Sequence, residues 1–91
     1  MTKKKWLVLR KGDNVALALA DLEPGERLQV GAAKVVVRQP IEFGHKFAVR
    51  AVGKGEDILK HGEVIGRATE RIDAGKHVHV HNVESLRARR G

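Results

Sequence analysis

The sequence predicts an all-β fold, a small domain of short strands joined by glycine-containing turns, and three observations carry that prediction. Short aliphatic and β-branched runs recur along the 91 residues. Ten glycines punctuate those runs. One corner pattern, Ala-x-x-x-aliphatic-x-x-Gly-charged-x-aliphatic, occurs three times, from Ala18 to Leu28, Ala48 to Ile58 and Ala68 to Val78. In each copy a strand enters a tight turn, a glycine (Gly25, Gly55 or Gly75) takes the backbone through positive φ, and an aliphatic residue returns to the core. The spacings of 30 and then 20 residues are unequal, which excludes a solenoid of fixed period.

The elements follow in order. Trp6–Leu9 and Val15–Ala20 read as strands on either side of the Gly12-Asp13-Asn14 break. Ala16–Leu22 has helical composition, but Pro24-Gly25 would end a helix after one or two turns, too short to be stable. Arg27–Val30 and Lys34–Val37 are strands flanking Gly31, and Phe47–Val52 runs to Gly53. Lys54–Lys60 is expected to hold a single helical turn before His61-Gly62 starts the strand Val64–Thr69. The last strand, His77–His81, ends at Asn82. Val83–Gly91 is Arg-rich, helix-compatible and poor in apolar surface, and is expected to order only against a partner. The organisation is thus a basic tail at 1–5, one folded domain at 6–82 and a basic extension at 83–91.

Composition excludes several classes of function. One small domain is too short for an enclosed active-site cleft of its own. With no cysteine there is no disulfide, thiol nucleophile, iron–sulfur cluster or cysteine-bound zinc, so any metal must use histidine, carboxylate or water. The apolar run Trp6–Leu9 is too short for a signal-peptide core or a membrane span, and the cytoplasm is the expected compartment. Net charge is +7, yet Lys3, Lys4, Lys5, Arg87, Arg89 and Arg90 leave 12 basic residues against 11 acidic in the remainder. A near-neutral body with basic ends suits an acidic partner surface, and phosphate binding by such tails is unselective. Only Trp6, Phe43 and Phe47 are aromatic, too few for stacking single-stranded bases.

Gly75-Lys-His-Val-His-Val-His-Asn82 carries the chemistry. Strict alternation would put His77, His79 and His81 on one face of a strand, with Val78 and Val80 facing inward. Same-face neighbours lie about 6.5–7 Å apart, so the imidazoles either converge on one metal or one anionic substrate or form a solvated outer face. A second candidate is Gly44-His45-Lys46, a proton carrier beside a fixed positive charge, suited to a carboxylate or a developing oxyanion. From the dipeptide alone, a loop histidine next to a solvated lysine is the plainer reading. Glu63 and Glu70 are available to complete a histidine and carboxylate metal set, but spacing selects neither.

Gly44-His-Lys-Phe-Ala48, Gly55-Glu-Asp-Ile-Leu-Lys-His-Gly-Glu-Val-Ile-Gly-Arg-Ala-Thr69 and Ala74-Gly-Lys-His-Val-His-Val-His-Asn82, together with Asp13-Asn14-Val15-Ala16, resemble the N-terminal domain of altronate and galactarate dehydratases. They are equally similar to the separately encoded small subunits of that group, including that of sulfolactate sulfo-lyase. The resemblance spans Asp13 to Val83 and implies a SAF-type β-clip, as in the C-terminal and antifreeze-like domains of sialic acid synthases. It implies a lyase subunit for hydroxylated sugar acids. In that group a divalent metal, Fe(II), held mainly by a large chain, assists elimination next to a carboxylate. Carried over by motif, the resemblance implies His45, Lys46, His79 and His81 as catalytic residues, Lys46 and Asn82 as substrate-binding residues, and His79 and His81 as metal ligands. The implied partners are a separately encoded large catalytic subunit and a small sugar acid, with homo-oligomerisation left open and no specific nucleic acid or membrane. His61 stands where the group often has tyrosine, which leaves substrate choice open. The alternatives are a stand-alone binding module for a sugar acid or divalent metal, or a sulfo-lyase small subunit acting on sulfolactate.

Overall fold

The computed structural model describes residues 4–85, an all-β domain with no helix among them. Residues 1–3 of the expected basic tail and 86–91 of the expected extension lie outside the described residues. The strands are β1 (Trp6–Leu7), β2 (Val15–Ala18), β3 (Arg27–Val30), β4 (Ala33–Val36), β5 (Lys46–Ala48), β6 (Asp57–Lys60), β7 (Glu63–Ala68), β8 (His77–Val78) and β9 (Val83–Ser85). All pairings are antiparallel, in one sheet ordered β1-β2-β5-β8, one hairpin β3-β4 and a third sheet ordered β6-β7-β9.

The repeated corner is real, and the structure adds a fourth copy at Ile41-Glu-Phe-Gly44. Gly25, Gly44, Gly55 and Gly75 all have φ between 85° and 93°. The hydrogen bonds around them match in pairs. Gly25 N donates to Val37 O and Val37 N to Glu26 O, as Gly55 N donates to Ala68 O and Ala68 N to Glu56 O. Gly44 N donates to Ala18 O and Ala18 N to His45 O, as Gly75 N donates to Ala48 O and Ala48 N to Lys76 O. Leu22 bridges Ile41, as Val52 bridges Ile72. The chain is therefore a duplicated unit, roughly Ala18 to His45 and then Ala48 to Lys76. The register difference grows from 30 residues before the second hairpin to 31 after it, and a register shift between Ile58 and Leu59 accommodates the extra residue.

Duplication explains why there are two cores. One contains Ala18, Leu22, Leu28, Val37, Ile41 and Phe47. Their counterparts Ala48, Val52, Ile58, Ala68, Ile72 and Val78 lie in the other. Every one of these side chains is almost fully removed from water, which is the main stabilising term for so small a domain. β2 and β5 sit side by side between the cores, with Val15 opposite Ala48 and Leu17 opposite Lys46, and so join the units.

Three expectations are corrected. Lys54–Lys60 holds no helical turn: Asp57–Lys60 is β6, paired with β7. Val83–Ser85 does not wait for a partner, since it forms β9 against Gly66–Ala68. The strand expected over His77–His81 stops at Val78, the chain turns over His79–Asn82, and Val80 is 83% exposed instead of facing inward.

Buried polar residues fasten the N-terminal segment to the second unit. The Asp13 carboxylate accepts from the backbone N–H groups of His61 at 2.8 Å, Gly62 at 2.9 Å and Arg10 at 3.1 Å. Burial alone would raise its pKa, but the N–H groups of Gly62, His61 and Arg10 outweigh it and hold the carboxyl below its usual range. His61 and Gly62, at φ 56° and 74°, form the hairpin turn that Asp13 clasps. Asn14 donates from Nδ2 to Asp57 O and accepts from Leu59 N, both at 2.8 Å. Lys5 is also tied to the body, through its ammonium to Glu26 at 2.8 Å.

Candidate functional site

Two corners build the site. The corner at Gly44 releases His45 and Lys46 into β5, and the corner at Gly75 releases His77 into β8, which lies next to β5 at the sheet edge. Lys46 pairs with Val78 and Phe47 with His77. Carried one residue further, the same register sets His79 opposite His45. Opposed residues of an antiparallel pair share a face, so His45, His77 and His79 gather while Lys46 and Val78 turn to the other side.

The rings are close. Centroids lie 4.9 Å apart for His45 and His77, 4.9 Å for His45 and His79, and 5.2 Å for His77 and His79. His45 Nδ1 is 2.8 Å from His77 Nε2, a hydrogen bond in which one nitrogen donates and the other accepts. One ligand nitrogen from each of these three residues lies within 4.8 Å of the others. Ligand atoms around a metal with bonds of about 2.1 Å are roughly 3 to 3.5 Å apart, so modest ring rotation makes the set a three-imidazole site. All three are half-buried. His77 titrates below its ordinary range, chiefly through burial and then through the charges of His45, His79 and His81, with Glu42 acting weakly the other way. It is therefore neutral near pH 7, the state a metal ligand requires.

The turn after β8 positions His79. Asn82 is only 4% exposed. Its Oδ1 accepts from His79 N at 3.0 Å, and its Nδ2 donates to His77 O at 2.8 Å. Asn82, expected to bind substrate, thus spends its side-chain amide on the turn that aims the histidines. His79 Nδ1 accepts from Val80 N at 2.8 Å, which leaves Nε2 to carry the proton of the neutral ring. Gln39 Oε1 accepts from His77 N at 3.0 Å and occupies the open edge of β8.

Of the residues expected at the site, His45 and His79 lie together. His77, which the motif placed among the three histidines but not in the site, is their third member. His81, expected as a ligand with His79, falls outside the three-histidine group; it is exposed, with its ring 5.4 Å from that of His77. Lys46 lines a neighbouring groove of about 200 Å³ with His79, Ile65, Val78, Val80, Val83 and Ser85. His79 is the one histidine common to the groove and the cluster. Burial, and then the nearby Lys60 ammonium, lower the pKa of Lys46, and among the described residues no carboxylate lies within ion-pair distance of it. Its charge is available for an anion. Among the described residues no helix is long and apolar enough to cross a membrane.

Comparison with known proteins places this chain in a family. The altronate/galactarate dehydratase SAF domain matches residues 4–86. The altronate dehydratase of Escherichia coli (strain K12) is 47% identical over 81 residues, 89% of this chain and 16% of that protein. The altronate dehydratase of Bacillus subtilis (strain 168) is 39% identical over 82 residues, 90% of this chain and 16% of that protein. The (2R)-sulfolactate sulfo-lyase subunit alpha of Chromohalobacter salexigens is 43% identical over 51 residues, 56% of this chain and 54% of that subunit. The chain thus spans about a sixth of the length of those dehydratases and belongs to the SAF-domain family of altronate and galactarate dehydratases.

Proposed function

We propose that this SAF-family chain is the small component of a metal-assisted lyase acting on hydroxylated sugar acids such as altronate or galactarate, and that it completes an active site shared with a larger catalytic chain. The convergence of His45 from one corner with His77 and His79 from the other carries the proposal, with half-buried Lys46, on the opposite face of β5, reached through the groove it shares with His79. Elimination of water next to a carboxylate removes the α proton and expels the β hydroxyl. It needs an anion holder for the carboxylate and its enolate, and proton carriers for the two transfers.

His45, His77 and His79 are the residues that would hold a divalent metal, Fe(II) in this reading. When bound, the metal supplies Lewis-acid polarisation of substrate oxygens. To ligate, His45 and His77 would give up their mutual hydrogen bond and His79 would either release the Val80 N–H from Nδ1 or move its ring proton off Nε2, so metal affinity would be coupled to the protonation of the cluster. Lys46 holds the substrate carboxylate, whose charge offsets the desolvation of its ammonium. His81, at the solvent edge and 5.4 Å from His77, moves protons between the cluster and bulk water. Asn82 holds the turn that keeps His79 in place.

The test is reconstitution. The purified chain alone should be inactive, and the cognate large dehydratase chain with Fe(II) should restore dehydration of altronate or galactarate. His79→Ala should abolish that turnover, and full activity in this variant would reject the site. A second reading, the small subunit of a sulfolactate sulfo-lyase, draws on the Paracoccus pantotrophus subunit alpha, of which this chain covers 81% at 33% identity. Sulfite release from sulfolactate by the reconstituted pair, without sugar-acid turnover, would select it.

A further inference from the structure

We infer that the apolar side chains of the groove beside Lys46, with exposed Val80 in its lining and exposed Phe43 in the corner that leads to His45, form the docking face for the larger catalytic chain, and that the matching surface of that chain is acidic with an apolar anchor. The inference rests on the lyase reading above and assigns its interface.

The groove has the wrong lining for a sugar acid. Ile65, Val78, Val80 and Val83 supply four aliphatic walls. Every carbon of a hydroxylated sugar acid carries oxygen, and sealing those oxygens against aliphatic walls would leave them without hydrogen bonds. Only Lys46, His79 and Ser85 among the lining residues suit such a substrate. An apolar side chain from a protein fits the rest.

Exposure points the same way. Val80 and Phe43, at 83% and 66%, are the most exposed large apolar side chains among the described residues. Val80 lies between His79 and His81, and Phe43 two residues before His45. Apolar exposure gathered at a site marks an interaction surface more than single scattered residues do. Charge selects the partner's character. Lys60 adds a second positive charge close to Lys46 and has no carboxylate within ion-pair distance among the described residues, so it stays uncompensated when Lys46 holds the substrate carboxylate. An acidic surface of the partner complements it. The occupant is a larger chain because the altronate dehydratase relatives extend far beyond the 16% of their length aligned here.

The test uses the full-length chain and the cognate large dehydratase chain, with binding followed by calorimetry or sedimentation and turnover followed in the same mixtures. Val80→Ser and Phe43→Ser replace exposed side chains and should keep the fold, checked by circular dichroism. Each should weaken binding about tenfold or more. Val36→Ser, at an exposed apolar position on β4, should bind like wild type, and His79→Ala should bind but not turn over. Wild-type binding by both Val80→Ser and Phe43→Ser, with turnover intact, would overturn the docking face and leave the lyase reading standing. A wild-type chain that neither binds nor activates the large chain would overturn both. Self-association of the chain that Val80→Ser abolishes would assign the face to a second copy and overturn the proposal.

Discussion

His45 Nδ1 and His77 Nε2, 2.8 Å apart, join the end of the first structural repeat to the end of the second through a shared proton. That contact ties the site to the fold. His77 is held below its ordinary pKa, so between that lowered value and about 6.5 the unfolded chain binds more protons than the folded one. Stability from this group is complete above about pH 6.5 and is lost as pH falls towards the folded value. Melting temperature should drop on going from pH 7.5 to 5.5, and His77→Gln should drop less over the same interval. An identical pH slope in both proteins would refute this coupling.

Asp13 holds three backbone N–H groups at once. Asp13→Ala leaves them without acceptors and should cost about 3 kcal/mol, roughly 15 °C in melting temperature for a domain of this size. Asp13→Asn should fall between, because one oxygen remains while an N–H group now faces other donors. Because its folded pKa is depressed, the wild-type contribution should persist at neutral pH and vanish as acid protonates the carboxyl. Thermal melts of the three proteins at pH 7 and pH 3 check both points.

Gly25 and Gly75 have φ of 93° and 89° but different surroundings. A Cβ at Gly25 meets nothing within 4 Å, so Gly25→Ala should carry only the left-handed backbone penalty, about 1–2 kcal/mol. At Gly75 it would overlap the backbone carbonyl of Val36. Gly75→Ala should therefore be unfolded or destabilised by more than about 4 kcal/mol. Equal melting temperatures for the two variants would contradict the packing of that corner.

Asn82→Ala should lower stability by about 2 kcal/mol, since the side chain spans His77 O and His79 N within one turn. A residue that only bound substrate would raise KM and leave the melting curve unchanged. Measuring both quantities in the reconstituted enzyme distinguishes the roles.

Metal titration of the isolated chain separates His77 from His81. His77→Ala should weaken Zn(II) or Fe(II) binding on the order of 100-fold or more, and His81→Ala by no more than about threefold. Calorimetry under anaerobic conditions gives both numbers. A larger loss from His81→Ala would move the ligand set to the turn.

Some of this was legible because local chemistry is strong at those positions. The glycine corners are visible wherever aliphatic-x-x-Gly is preceded by alanine and followed by a charge. The fourth corner escaped that pattern by placing Val37 where the others have alanine, His45 where they have a charged residue and Phe47 where they have an aliphatic; allowing those three exchanges would have found it. β6 was hidden because Ile58 and Leu59 are adjacent and break period-two alternation, at the position where the ladder shifts register. Its extended form comes from pairing with β7 and from Asn14, 45 residues before Leu59.

The histidine motif shows the same division. Composition and turn chemistry alone determined an all-β chain, a cysteine-free ligand set, and a histidine-rich segment opening on the glycine of a tight corner. Alternation also promised His77, His79 and His81 as neighbours on one strand. Tertiary structure decided otherwise, because Asn82 closes a turn that ends β8 after Val78 and leaves Val80 in solvent. The third member of the cluster, His45, comes from 32 residues before His77, across a strand pairing that the duplicated unit brings together. Local sequence governs conformations with short-range causes. Which imidazoles share a proton depends on a register between distant strands, set by the burial of two cores at once.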